Sequence, residues 1–268
     1  MEIKTFLEKL SERTPYNFCD YSDNSIYRRI QKMQDDYRMT LEQMLGKVGE
    51  DPSFINKLVD DITVNTTELF RDPDVWSFLY DRLYPQLQKK NKLTFWHVGC
   101  SSGQEVYTNM ILMHQLGVLD KCRIIGTDIN VNMLQKARAG VYAKSFNSSY
   151  RNNFDEVMHR IGSKSRFEDY FDIDEANDTI SVKDFLKKEP KFYQYDLVTN
   201  RLPFAYKVDV VFFRNVMIYF KENLQIKVIN TLTERMYQGG SLVLGKREML
   251  PLTFKGRYVK DGMYYTKL

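Results

Sequence analysis

Leu93-Thr94-Phe95-Trp96-His97-Val98-Gly99-Cys100-Ser101-Ser102-Gly103-Gln104-Glu105, followed after a helical run by Arg123-Ile124-Ile125-Gly126-Thr127-Asp128, reads as strand, glycine turn, helix, strand and acid. An apolar strand ending in glycines lets the backbone come close to a ligand, and an acid closing the next strand can accept both hydroxyls of a ribose. This is the layout of a nucleoside-binding α/β unit. The turn lacks the G-x-G-x-x-G spacing that seats a pyrophosphate on a helix N-terminus, so a dinucleotide fits less well. A nucleoside without phosphates fits better, S-adenosylmethionine being the common one. Taken alone the turn is equally an ordinary βα connection; Asp128, one βαβ repeat later, favours the ligand. Glu105 has two readings, a first-turn acid complementing the helix dipole or an anion facing a cationic ligand.

Upstream, apolar residues at helical spacing (Phe6, Leu7, Leu10; Ile26, Ile30, Met33; Leu41, Met44, Leu45, Val48) predict a small all-helical unit from Ile3 to about Asp61. Asp51-Pro52 is expected to open its last helix, and Asp72-Pro73-Asp74 opens a further one with a capping acid and a first-turn proline. Downstream, a helix from Asn130 to Arg138 is stopped by Gly140. Regularity falters from Lys144 to about Pro190, where Tyr170-Phe171 and Thr179-Ile180-Ser181-Val182 between Asp and Asn turns suit a small β insertion. Strands are then expected at Phe192 to Leu197, Val208 to Phe213 and Ser241 to Leu244, a helix from Lys221 to Tyr237, and a terminal hairpin turning at Asp261-Gly262. Strands alternating with helices predict a mostly parallel α/β sheet with an antiparallel end. The domains expected are 1–72, helical with a linker, and 73–268, with the β insertion at about 145–190.

The 268 residues hold ample apolar content for a core. With 39 basic against 35 acidic residues the net charge is +4, a mild excess that does not demand nucleic acid, and none is expected as a partner. Cys19, Cys100 and Cys122 form no C-x-x-C pair and suit a reducing compartment, so cytoplasm is expected. No segment reads as a signal peptide or a membrane span. His97, His114 and His159 show no ligand spacing, so no metal is expected; His97, inside a strand, reads as a core residue or a support behind the site.

Two further segments carry chemistry-bearing residues. Phe212-Phe213-Arg214-Asn215-Val216-Met217-Ile218-Tyr219-Phe220 places Arg, Asn and Tyr after a buried strand, where open α/β sheets bind ligands; a helix cap and a core tyrosine are the plainer alternative. Thr63-Val64-Asn65-Thr66-Thr67-Glu68-Leu69-Phe70-Arg71 is by itself a Thr/Asn loop with capping capacity.

Together these segments resemble the chemoreceptor glutamate methyltransferases, the CheR family. The family's T-x-N-x-T-x-F-F-R is matched by Thr63, Asn65, Thr67, Phe70 and Arg71, with Leu69 replacing a Phe. Its S-x-G-E-E-P-Y-S is matched by Ser101, Gly103, Glu105 and Tyr107, its T-D-I by Thr127-Asp128-Ile129, and its A-R-x-G-x-Y by Ala137, Arg138, Gly140 and Tyr142. R-N-V-x-I-Y-F is matched by Arg214, Asn215, Val216, Ile218, Tyr219 and Phe220. Gln104, Val106 and Asp196 depart from the family's Glu, Pro and Asn, and the G-x-G-Y-x-R pattern of members that grip a receptor's C-terminal peptide is not present.

The resemblance implies a Rossmann-like S-adenosylmethionine-dependent methyltransferase sheet with a small N-terminal all-helical domain and a small β insertion. It implies methyl transfer from S-adenosylmethionine to glutamate side chains on cytoplasmic receptor helices, leaving S-adenosylhomocysteine, by a monomer that does not enter the membrane. Asn65, Thr67 and Arg71 would line the methionine end, Glu105 face the ammonium and Asp128 the ribose. Asp196, Leu197, Arg214 and Asn215 would form the adenine side and pocket wall. Arg71 and Tyr219 would orient the incoming glutamate, and Arg28, Arg29, Lys32 and Arg38 would dock acidic receptor helices, although a basic helical face is most often simply solvated. Two alternatives stand beside this: a methyltransferase acting on a small molecule or RNA, and a cofactor-binding signalling adaptor without turnover.

Overall fold

The computed structural model describes residues 1–51, 53–145, 148–198 and 202–268. Four helices open the chain: α1 (Ile3–Arg13), α2 (Asp23–Tyr37), α3 (Leu41–Glu50) and α4 (Phe54–Ile62). The apolar faces read from their spacing are buried together in one core. A capping box starts α3: Thr40 Oγ1 accepts from Gln43 N at 3.2 Å, and Gln43 Oε1 accepts from Thr40 N at 2.8 Å. Pro52, expected to open the next helix, lies outside the described residues; Asp51 beside it accepts from Ser53 N at 2.9 Å.

Two helices, α5 (Pro73–Arg82) and α6 (Tyr84–Leu87), lead to β1 (Leu93–Val98). Pro73 takes its expected place in the first turn, but Asp72 is not the side-chain cap. Its backbone is left-handed at φ 57°, and its carboxylate turns to Arg214 Nη2 at 2.8 Å. Beyond the glycine turn come α7 (Gln104–Gln115), β2 (Cys122–Asp128) and α8 (Val131–Ala139). Asn130 caps α8 by accepting from Asn132 N and Met133 N, and Gly140 ends it at φ 59°, where a side chain would be strained.

The irregular stretch forms β3 (Val141–Ala143), α9 (Ser149–Arg160), β4 (Phe171–Asp174), β5 (Thr179–Val182) and α10 (Asp184–Lys187). The three strands make an antiparallel sheet in the order β3-β5-β4. The expected β insertion therefore contains a long helix as well. Tyr150, Phe154, Val157 and Met158 recur at helical spacing and are buried, while the turn-forming Asn152 and Asp155 fall on the solvent face, where a packed opposite face overrides their low propensity. Phe154 meets Phe70 and Phe167 edge-on at 5.3 and 5.5 Å between centroids.

The last elements are β6 (Lys191–Gln194), β7 (Val208–Phe213), α11 (Glu222–Arg235), β8 (Met236–Leu244), β9 (Tyr258–Asp261) and β10 (Tyr264–Lys267). The main sheet has the order β6-β2-β1-β7-β8-β10-β9, parallel from β6 to β8 and antiparallel at β10 and β9, with the terminal hairpin where it was expected. Every residue of β7 is buried, as a central parallel strand requires. Its one acid, Asp209, is satisfied by Lys90 Nζ at 2.6 Å and Thr94 N at 2.8 Å. No helix among the described residues is long and apolar enough to cross a membrane. From β1 the chain winds outward through β2 to β6, then crosses back to β7 on the other side, so a cleft opens at the carboxyl ends of β1 and β7.

Gly103, at φ 90°, ends the turn after β1 and begins α7; a Cβ there would lie 2.9 Å from Ala137 Cβ and 3.2 Å from Ala137 Cα on α8. Gly103→Ala is expected to destabilise the protein by about 1–3 kcal/mol, the usual range for a forced left-handed residue. A shift of the urea midpoint at constant m-value checks this.

Candidate active site

One pocket fills the cleft. It is lined by Asn65, Thr67, Arg71, Glu105, Asp128, Asp196, Leu197, Arg214, Asn215 and Tyr219, so residues from five distant stretches converge. The N-terminal region adds Tyr21, just before α2, and Ser25 and Ile26 on it, which no local motif announces. They arrive because Tyr21 bridges Phe220 and Ser22 N donates to the Tyr219 carbonyl at 2.8 Å.

The loop from Thr63 to Asp72 is shaped by its own polar side chains. Asn65 Nδ2 donates to the Asp60 carbonyl at 3.1 Å, Thr63 Oγ1 donates to the Val59 carbonyl at 2.7 Å, and Ser101 Oγ donates to the Asn65 carbonyl at 3.1 Å. Arg29 Nη1 donates to the carbonyls of Asp61 and Thr63, both at 2.9 Å. Of the four bases expected to face a partner, Arg29 is thus turned toward this loop. Lys32 pairs with Asp36 on the surface, and Arg28 and Arg38 are in no ion pair among the described residues. Phe70 sits at φ 53° with its N–H on Thr108 Oγ1 at 2.9 Å, and with Asp72 it kinks the backbone on both sides of Arg71.

Arg214 is almost wholly buried. Its Nη2 donates to Asp72 Oδ2 at 2.8 Å and to the Arg71 carbonyl at 3.1 Å, its Nη1 to Glu105 Oε2 at 3.3 Å, and its guanidinium lies 5.2 Å over the Trp76 ring. Expected on the adenine side and pocket wall, it lines the pocket and also pairs with Glu105, because a buried cation takes the nearest carboxylates. His97 Nδ1 lies 2.9 Å from Glu105 Oε1. Burial works to raise the Glu105 carboxyl, but the His97 hydrogen bond and the Arg214 charge outweigh it and hold it below its ordinary value.

Asp128 closes β2 with one backbone donor on each oxygen, Ser101 N at 2.8 Å and Asn130 N at 2.9 Å. Burial raises its carboxyl above the ordinary aspartate range, against these bonds, which lower it. Asp196, one residue beyond Tyr195, accepts from Val198 N at 2.8 Å; it lies in the loop past β6, which ends at Gln194 and not at Leu197 as expected. Asn215 is at φ 59°, and its N–H, with those of Ile218 and Gly245, is received by the buried carboxylate of Glu248 at 2.7, 3.2 and 2.7 Å. Glu248 thereby pins the turn that carries Tyr219, a role without any local sequence signal. Burial raises the Tyr219 phenol above its ordinary value while the nearby Arg29 and Arg71 charges lower it, so it stays a donor.

Residues 65–263 match the family described as CheR methyltransferase, SAM binding domain. The chain belongs to the CheR methyltransferase family. It is 30% identical over 249 residues, 92% of this chain and 88% of the other, to a putative methyltransferase Cher3 of Pseudomonas putida. It is also 28% identical to a chemotaxis protein methyltransferase of Borreliella burgdorferi, over 85% of this chain and 78% of that one. A third relative, from Vibrio parahaemolyticus and bearing the same name, is 32% identical over 77% of this chain and 74% of its own.

As a CheR-family methyltransferase it uses S-adenosylmethionine. The pocket's donor set fits that cationic nucleoside: Glu68, Glu105, Asp128 and Asp196 outnumber Arg71 and Arg214, and Arg214 is taken up by Asp72 and Glu105. Val98, Ile62, Val216 and Phe220 supply apolar wall. Two departures from the family pattern lie outside the pocket lining. Val106 is buried in the core, and Gln104 Nε2 donates to Tyr150 Oη at 2.8 Å, tying α7 to α9.

If ribose hydroxyls bind an ionised Asp128, as expected from the sequence, lowering the pH protonates it and affinity falls as pH falls through the Asp128 value. Because that value is raised and Glu105's is lowered, the acid limb of S-adenosylhomocysteine binding is expected above the ordinary aspartate range. Asp128→Asn is expected to bind more weakly at neutral pH and to flatten this limb. Calorimetric titrations across pH check both.

Proposed function

We propose that this methyltransferase transfers a methyl group to glutamate side chains on the cytoplasmic helices of chemoreceptors, acting in the cytoplasm as a monomer and forming glutamate methyl esters. The observation that carries this is the meeting of the Tyr219 phenol and the Arg71 guanidinium in one pocket with Glu105 and Asp128. A phenol donor and a guanidinium are what an incoming carboxylate needs, and the carboxylates are what a sulfonium nucleoside needs. The names of the relatives from Borreliella burgdorferi and Vibrio parahaemolyticus support a chemotaxis setting.

When bound, the cofactor supplies a methyl carbon on a positively charged sulfur, already activated for attack. Glu105 would face its ammonium, Asp128 its ribose, and Asp196 and Leu197 its adenine, while Asn65, Thr67 and Arg71 would line the methionine end. Arg71 and Tyr219 would orient the acceptor carboxylate. A glutamate is ionised near neutral pH, so no general base is required, and positioning carries the rate. Tyr219 donates a hydrogen bond to one acceptor oxygen and leaves the other free to react.

Labelled cofactor incubated with a receptor cytoplasmic fragment should give label released as methanol by alkali. Tyr219→Phe and Arg71→Ala are each expected to lower kcat/KM by about 10- to 100-fold, the cost of a misplaced reactant. Wild-type transfer by the double variant overturns the proposal.

Receptor helices would approach α2, where Arg28, Arg38 and the surface-paired Lys32 remain available, Arg29 being engaged with the pocket loop. Exposed charges are screened over about 8 Å at physiological salt. Raising the salt should therefore raise KM for the receptor fragment while leaving the dissociation constant of S-adenosylhomocysteine nearly unchanged.

A further inference from the structure

Behind the pocket, and not lining it, three polar side chains cross the apolar core. Tyr84 at the start of α6, Asn109 on α7 and His97 on β1 are each at most 1% exposed. Tyr84 Oη donates to Asn109 Oδ1 at 2.9 Å, which leaves the Asn109 amide NH2 to donate to His97 Nε2 at 3.2 Å. A ring nitrogen that accepts carries no proton, so the imidazole proton sits on Nδ1 and is donated to Glu105 Oε1 at 2.9 Å. The imidazole is also stacked on Phe212, 4.5 Å between centroids and 5° between planes, which prevents it from turning out of line.

We propose that Tyr84, Asn109 and His97 form a buried relay of positioning residues that holds the Glu105 carboxylate in one orientation toward the ammonium group of the cofactor. The chain of donors is directional. Among the described residues the Tyr84 hydroxyl has only Asn109 to serve, the amide orientation fixes the imidazole tautomer, and the tautomer fixes which atom faces Glu105. Arg214 Nη1 holds the second carboxylate oxygen at 3.3 Å, so both ends of the carboxylate are bound on the protein side. Burial, then the Glu105 charge, keep the Tyr84 phenol protonated, as the first donor must be. Packing alone does not call for these residues, since a core position filled by an amide or imidazole costs desolvation that an apolar side chain avoids. What the polar chain gains is a carboxylate whose rotamer is already chosen before a ligand arrives, sparing that ordering cost on binding.

The relay rests on the reading that Glu105 meets the ammonium, and ligand choice separates the two. S-adenosylhomocysteine carries the amino-acid end; methylthioadenosine has the same nucleoside and sulfur without it. Calorimetry on the full chain with both ligands compares wild type, Glu105→Gln, His97→Phe, His97→Asn and Asn109→Leu. His97→Phe keeps a ring on Phe212 and removes the donor, and should weaken S-adenosylhomocysteine about tenfold, the scale of one hydrogen bond to a charged group, while changing methylthioadenosine less than about twofold. His97→Asn places an amide nitrogen where Nδ1 stood and should recover most of that loss. Asn109→Leu, which frees the tautomer, should show a smaller loss of the same selectivity. Should His97→Phe unfold, Asn109→Leu and His97→Asn carry the comparison.

Equal weakening of both ligands by the His97 and Asn109 variants, or no weakening, with Glu105→Gln selective for S-adenosylhomocysteine, overturns the relay and leaves the Glu105 assignment standing. A Glu105→Gln variant without that selectivity overturns both.

Discussion

A single buried cation organises this site. The Arg214 side chain, 1% exposed, cannot remain in the core unpaired, and its three partners come from two places: the Arg71 carbonyl and Asp72 carboxylate of one segment and the Glu105 carboxylate of another. Pairing its two terminal nitrogens therefore draws the segment before α5, the first turn of α7 and the end of β7 to one point. The aromatic stack beneath continues the same contact, Trp76 on Phe212 at 5.5 Å and Phe212 on His97. Arg71 owes its position to this arrangement, since its carbonyl is held by Arg214 while its side chain lines the pocket.

The backbone around the pocket is held in conformations that isolated residues avoid. Of the six non-glycine residues at positive φ among the described residues, Phe70, Asp72, Ser101 and Asn215 belong to the pocket's own loops. Each is fixed by a buried polar partner: Thr108 for Phe70, Arg214 for Asp72, Asp128 for Ser101 and Glu248 for Asn215. Strain distributed in this way leaves carboxylates and donors set before any ligand binds, which suits a reaction whose barrier is lowered chiefly by alignment.

The N-terminal helices are part of that arrangement and not a detachable appendage. Ser22 N donates to the Tyr219 carbonyl, Lys221 N donates to the Asp20 carbonyl, and Arg29 holds the loop that carries Asn65. Contacts made on α2 are thus a few bonds from the pocket tyrosine.

By itself the sequence determined the order and type of most elements, because burial on one face writes a period into the chain: the helical cores, the buried β7 with its single acid, the helix near Asn130, the Gly140 stop and the closing hairpin were all legible. It also singled out Asp128, Arg214 and Asn215, since polar groups at strand ends interrupt that period, whereas Asn65, Thr67, Arg71, Asp196 and Leu197 were named through the family resemblance and Tyr21, Ser25 and Ile26 by nothing local. Helix α9 was legible only in part, its apolar spacing being masked by Asn and Asp on the solvent face. Only the tertiary structure decided which polar groups meet. That Asp72 abandons a cap for Arg214, that Arg214 pairs with Glu105, that Arg29 serves a loop, and that Glu248 and His97 support the site all depend on pairings across the fold. Hydrogen bonds and ion pairs form over a few ångströms of space whatever the separation along the chain, and a local pattern contains no record of them.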